Sequence, residues 1–162
     1  MVGMNTNAIL RKLTQSLAIS RPELQVWFAA IDVELEPAEV DALLVPESSP
    51  ASVDLPQYLL LQLLNQWIVQ QRGQKPEASV EVVNKQTKLS NNDVLKKLRI
   101  AYQLHEQDVR DLLRLVTIEL TKSDLSALFR KAGHPQYKAC DDELVLDFIE
   151  GLGLWLARPI ST

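Results

Sequence analysis

Residues 89–104 read "LSNNDVLKKLRIAYQL", and residues 4–19 read "MNTNAILRKLTQSLAI". Ile9, Leu10, Leu13 and Leu17 in the earlier phrase, and Val94, Leu95, Leu98, Ala101 and Tyr102 in the later one, recur at the spacing of a helix with one buried face. Asn91 or Asn92 stands where an N-cap is expected, and Asp93 falls in the first turn, where the helix dipole favours an anion. The match extends far beyond these phrases. Residues 5–73 laid on residues 90–158 without a gap, an offset of 85, align Asn7 with Asn92, Leu10 with Leu95, Lys12 with Lys97 and Leu13 with Leu98. Glu34 and Leu35 meet Glu119 and Leu120, Ala42 and Leu43 meet Ala127 and Leu128, Pro50 meets Pro135, and Leu59 and Leu61 meet Leu144 and Leu146. These eleven identities exceed the roughly four or five that chance gives so Leu-rich a chain. The offset is longer than a solenoid repeat, so it implies a duplicated subdomain.

Each copy reads as four helices, which makes the chain all-α: two tandem four-helix subdomains at 5–73 and 90–158, joined by a linker at 74–89. The second helix is expected over 106–116 and 20–31, where Ser20 caps and Pro22 sits in the first turn. Thr121 with Asp124, and Pro37 in the first copy, open the third. The fourth, over about 54–72 and 141–157, is apolar nearly all round and should form the core of each copy. Gly151 and Gly153 within it mark a close helix crossing. The candidate strand is "SVEVV" at 79–83.

A chain of 162 residues has room for a sizeable core, and a net charge of -4 gives no global attraction to nucleic acid or an anionic membrane. The charge is uneven. Residues 1–73 hold four Lys/Arg against eight Asp/Glu, whereas residues 74–162 hold thirteen of each. A single cysteine, Cys140, excludes an internal disulfide and fits a reducing compartment. The stretch "LPQYLLLQLLNQWIVQQ" is punctuated by glutamines and Asn65, a poor membrane span, so a cytoplasmic setting without membrane association is expected.

The phrase "NNDVLKKLRIAYQL" followed by "LSALFRKAGHPQYKACDDELVLDFIEGL" resembles the YehS-like family of uncharacterised bacterial proteins, which carry a duplicated domain of unknown function. The resemblance covers nearly the whole chain and is most specific over 89–152. The first copy departs from it, with "VPESSPASV" where the second has "RKAGHPQYK". The resemblance implies a duplicated helical architecture and a bacterial cytoplasmic setting. It supplies no catalytic residue.

Candidate chemistry is sparse. His105, His134 and Cys140 lack zinc-ligand spacing, and a catalytic cysteine needs a thiolate-stabilising environment. Asp141, Asp142 and Glu143 instead raise the Cys140 pKa and suit a helix N-terminus. Consecutive helix residues point about 100° apart, so these carboxylates cannot converge on one metal ion without further ligands. No phosphate loop, serine elbow or H-E-x-x-H occurs. No catalytic, cofactor or metal residue is therefore assigned, and the reading leans against an enzyme without deciding it.

The basic residues are the better lead. Lys96 and Arg99 on one helix, and Arg130, Lys131, His134, Tyr137 and Lys138 in the loop after the third helix, form the candidate partner-binding set. The leading expectation is a non-enzymatic binding or interaction module with contacts concentrated in the second repeat, its partner a protein or an anionic ligand. The alternatives are a nucleic-acid-binding regulator using loop 130–138, with Tyr137 stacking on a base, and an enzyme with no recognisable motif. Trp27, Trp67 and Trp155 fall on apolar faces and are expected in the core, with Trp155 also suited to a partner groove.

Overall fold

The computed structural model describes residues 4–73 and 82–159. Within them lie eight helices and no strand: α1 Thr6–Ser16, α2 Arg21–Ala30, α3 Pro37–Leu44, α4 Gln57–Arg72, α5 Asn91–Ala101, α6 Glu106–Arg114, α7 Lys122–Leu128 and α8 Asp142–Leu156. The starts of α5 to α8 are those of α1 to α4 displaced by 85 residues. The architecture is thus all-α and duplicated. Residues 74–81 of the expected linker lie outside the described residues, and so does most of the 79–83 segment; Val82 and Val83 are not in a strand.

Local chemistry sets the helix starts. Ser20 and Glu23, Ser90 and Asp93, and Thr121 and Asp124 form capping boxes, and Pro22 and Pro37 occupy first turns. One expectation is corrected here. The N-cap of α5 is Ser90, not Asn91 or Asn92: its hydroxyl accepts from Asp93 N at 3.1 Å while the Asp93 carboxylate accepts from Ser90 N at 3.0 Å. The two asparagines therefore belong to the first turn, and both are buried.

Their side chains hold the rest of each repeat in place. Asn92 Nδ2 donates to Leu128 O and Lys138 O, each at 2.9 Å, and its Oδ1 accepts from Cys140 N at 2.8 Å. Asn7 repeats the pattern, donating to Leu43 O at 3.1 Å and Val53 O at 2.8 Å and accepting from Leu55 N at 2.9 Å. Every partner is displaced by the same 85 residues. One residue earlier, Thr6 donates its hydroxyl to Leu55 O, and Asn91 donates Nδ2 to Cys140 O at 3.1 Å. Each first helix thereby stitches together the end of its third helix and the segment leading into its fourth. These irregular stretches carry backbone polar groups that must find partners once buried, and an amide side chain supplies both donors and an acceptor.

The two repeats share one continuous apolar core. Each repeat's first helix packs on the other's last helix, α1 on α8 and α4 on α5, which is the reciprocal pattern of a two-fold interface. The two crossings are filled differently. At α4–α5, Trp67 is fully buried, meets Trp27 edge-on with ring centroids 4.5 Å apart, and donates Nε1 to the Tyr102 hydroxyl at 3.0 Å. Leu152 and Leu17 hold the positions equivalent to Trp67 and Tyr102. The close approach expected of the glycines is observed on α8: at α1–α8 a Cβ on Gly153 would collide with the Ser16 carbonyl, and at the neighbouring α6–α8 contact one on Gly151 would collide with the Leu112 carbonyl.

Asn92→Ala leaves the carbonyls of Leu128 and Lys138 and the amide of Cys140 without this partner in a buried site, and should lower unfolding stability by roughly 2–5 kcal/mol, read from the urea midpoint. Gly153→Ala should also destabilise, although alanine is favoured by about 1 kcal/mol in an exposed helix, because backbone atoms block its methyl group. A raised melting temperature for Gly153→Ala would show that the crossing is looser than this.

Candidate functional site

Loops 45–53 and 130–138 follow one backbone course. Ser49 N donates to Pro46 O at 2.9 Å and His134 N to Lys131 O at 3.0 Å; Ser52 N donates to Ser49 O at 3.0 Å and Tyr137 N to His134 O at 2.9 Å; Val53 N donates to Ala42 O at 2.9 Å and Lys138 N to Ala127 O at 3.0 Å. Only the second loop adds cations. Arg130, Lys131, His134 and Lys138 are all exposed. His134 Nδ1 accepts from Gln136 N at 3.0 Å, so in this geometry the ring helps to hold its own turn. Lys138 lies near Asp124, whose carboxyl is held below its ordinary value first by the Thr121 hydroxyl and amide, with Lys138 adding to the effect.

The other three members of the expected set are tied to the fold. Tyr137 is half-buried and donates its hydroxyl to Asn92 Oδ1 at 3.0 Å. Lys96 reaches the loop, its Nζ donating to Arg130 O at 3.4 Å. Arg99 donates Nε to Leu104 O at 3.0 Å and stacks over Phe129, with 4.7 Å from Cζ to the ring centroid.

Three hollows border these residues or their counterparts. A cleft of about 290 Å³ is lined by Arg99, Glu106, Leu125, Ser126, Phe129 and Arg130. Another, of about 240 Å³, lies beneath the loop between Lys88, Asp93, Lys96 and Tyr137. In the first repeat a more apolar groove of about 330 Å³ runs past Phe28, Val33, Leu35, Val53 and Leu59. Sequence reasoning missed Glu106 and Ser126, although the 85-residue overlay sets them against Arg21 and Asp41 and so displays a change of charge. It also missed the apolar groove, whose signal is Val53, an apolar residue at the position of Lys138.

The remaining titratable candidates have structural surroundings. His105 is the N-cap residue of α6, and among the described residues no three His, Cys, Asp or Glu side chains are grouped to hold a metal ion. Burial pushes the Cys140 thiol up to about 12, with the Asp141 and Asp142 carboxylates adding to it. An acid with a raised folded pKa ionises first in the unfolded chain. The stabilisation is therefore present below the unfolded thiol pKa of about 8.5 and is lost as pH rises toward the folded value. Cys140 should label slowly with a disulfide reagent at about pH 8 in the native state and quickly in denaturant; fast native labelling would contradict the burial.

No solved structure matches the chain. It is 28% identical over 149 residues, covering 92% of this chain and 94% of the relative, to a protein of Escherichia coli (strain K12) named "Uncharacterized protein YehS". The family described as "Protein of unknown function (DUF1456)" matches residues 6–73 and 91–155. Those two segments contain α1 to α4 and, but for the last residue of α8, α5 to α8, and the chain belongs to that family.

Proposed function

We propose that the chain is a non-enzymatic binding module whose second repeat presents Arg130, Lys131, His134 and Lys138 to an anionic partner. The observation that carries this is the pair of loops: 45–53 takes the backbone course of 130–138, with the same anchors, without any counterpart of the cations Arg130, Lys131 and Lys138 or of His134. Packing does not require the charge. Exposed charges that the fold does not use are available to a ligand.

An acidic protein surface fits better than a nucleic acid. The aromatic ring of the loop, Tyr137, is half-buried and hydrogen-bonded to Asn92, which removes it as a stacking platform. Helix α7 has seven residues and opens on Lys122 followed by Ser123 and Asp124, a poor recognition helix for a negatively charged groove. The cytoplasm is part of this reading, supported by the single free cysteine, as is the division into units at 5–73 and 90–158 with a linker at 74–89. No described helix is long and apolar enough to cross a membrane.

The triple variant Arg130→Gln, Lys131→Gln, Lys138→Gln should keep its urea midpoint, with stability changed by less than about 0.5 kcal/mol per substitution. Titrated with poly-L-glutamate and with duplex DNA over a range of salt, the parent protein should bind the polypeptide, and the variant should lose most of that binding. The salt slope should fall by up to about three counterions. A variant that unfolds, or that binds as the parent does, would refute the assignment.

A further inference from the structure

In the first repeat Arg21 of α2 and Asp41 of α3 form an ion pair at 2.8 Å. The equivalent positions of the second repeat hold Glu106 on α6 and Ser126 on α7, so the pair is gone and the remaining charge is reversed. Two further differences between the repeats bring in guanidinium groups. Arg99 stands where the first repeat has Thr14, and Arg130 where it has Val45. These residues, with Phe129 and Leu125, surround the cleft of about 290 Å³. Among the described residues nothing forms a hydrogen bond or ion pair with the Glu106 carboxylate or the Arg130 guanidinium. Arg99 is fixed by Leu104 O and by Phe129 through its Nε and its ring-facing plane, which leaves its terminal nitrogens unassigned.

We propose that this cleft binds a free α-amino acid with an apolar side chain. Its walls carry two positive charges and one negative charge that do not neutralise each other within the protein. A simple anion would meet Glu106, and a simple cation would meet both arginines. A zwitterion satisfies both signs, its carboxylate on Arg130 and Arg99 in the planar fork that guanidinium groups favour and its ammonium on Glu106. Phe129, backed by the buried Leu125, supplies the apolar part of an otherwise polar lining. A volume of about 290 Å³ falls just below the range of drug-sized ligand pockets, which suits an amino acid rather than a nucleotide. Half-burial of Arg99 and Glu106 limits the screening that weakens fully exposed charges. The inference rests on the second repeat being the ligand-bearing half, but it does not use Lys131, His134 or Lys138.

The test is a titration of the whole chain with L-leucine by calorimetry, beside N-acetyl-L-leucine, which lacks the ammonium, and 3-methylbutylamine, which lacks the carboxylate. Each half-ligand should bind about tenfold more weakly or worse, the loss expected for a hydrogen bond to a charged group. Glu106→Gln should weaken leucine by a similar factor without weakening N-acetyl-leucine or poly-L-glutamate. The double variant Glu106→Arg, Ser126→Asp copies the Arg21–Asp41 pair into the cleft and should abolish leucine binding while the protein stays folded by circular dichroism. If that variant does not fold, Glu106→Gln alone decides. The proposal is overturned if neither leucine nor any other common L-amino acid raises the melting temperature at millimolar concentration, if the acetylated form binds as tightly, or if Glu106→Gln leaves leucine affinity unchanged. Retention of poly-L-glutamate binding in any of those outcomes leaves the cationic loop standing and isolates the failure to the cleft.

Discussion

Each repeat depends on one buried asparagine. Asn7 and Asn92 sit in the first turn of a helix, with side chains that bind two carbonyls and one amide from segments 36 to 48 residues farther along. A hydrophobic residue of the same size would fill the space and strand three backbone groups. An aspartate would accept but could not donate, and would bury a charge. Because both ends of the following loop are fixed by this amide, the residues between them can change freely. "VPESSPASV" and "RKAGHPQYK" trace the same path with opposite character, and the freedom to place charge at 130–138 follows from the constraint beneath it.

The pattern of apolar residues and caps made most of the helical architecture legible. Ser20, Pro22, Pro37 and Thr121 marked helix starts that the structure reproduces, and Gly153 announced a crossing because glycine is otherwise a poor choice inside a helix. Asn92 was visible as an identity but misread, since an asparagine near a helix start ordinarily caps it. Whether its side chain turns outward to the backbone or inward to the core depends on what lies 36 residues away, which no local pattern records. The turns after the first and second helices were also hidden. Ala18 and Gln103, and Asp32 and Thr117, take positive φ in equivalent positions without any glycine to signal it. The 290 Å³ cleft draws its walls from three helices and was legible only in the change from Arg21 and Asp41 to Glu106 and Ser126.

The two repeats have departed from each other where their helices cross. One crossing is closed by Trp27, Trp67 and Tyr102, with burial raising the Tyr102 hydroxyl pKa and the Trp67 hydrogen bond opposing it. The other relies on a glycine that brings α8 against the backbone of α1. Small residues permit close approach of backbones, while large aromatics hold helices apart and fill the gap, so equivalent crossings reach a packed core by different means.

The reciprocal packing of α1 on α8 and α4 on α5 has a consequence for stoichiometry. Two identical subunits related by a two-fold axis must carry every substitution in duplicate and therefore display sites in even numbers, whereas halves joined in one chain are released from that rule. A mutation at Glu106 has no obligatory echo at Arg21. Such a chain can keep one half as scaffold while the other changes, because no symmetry ties the surface of one repeat to that of the other.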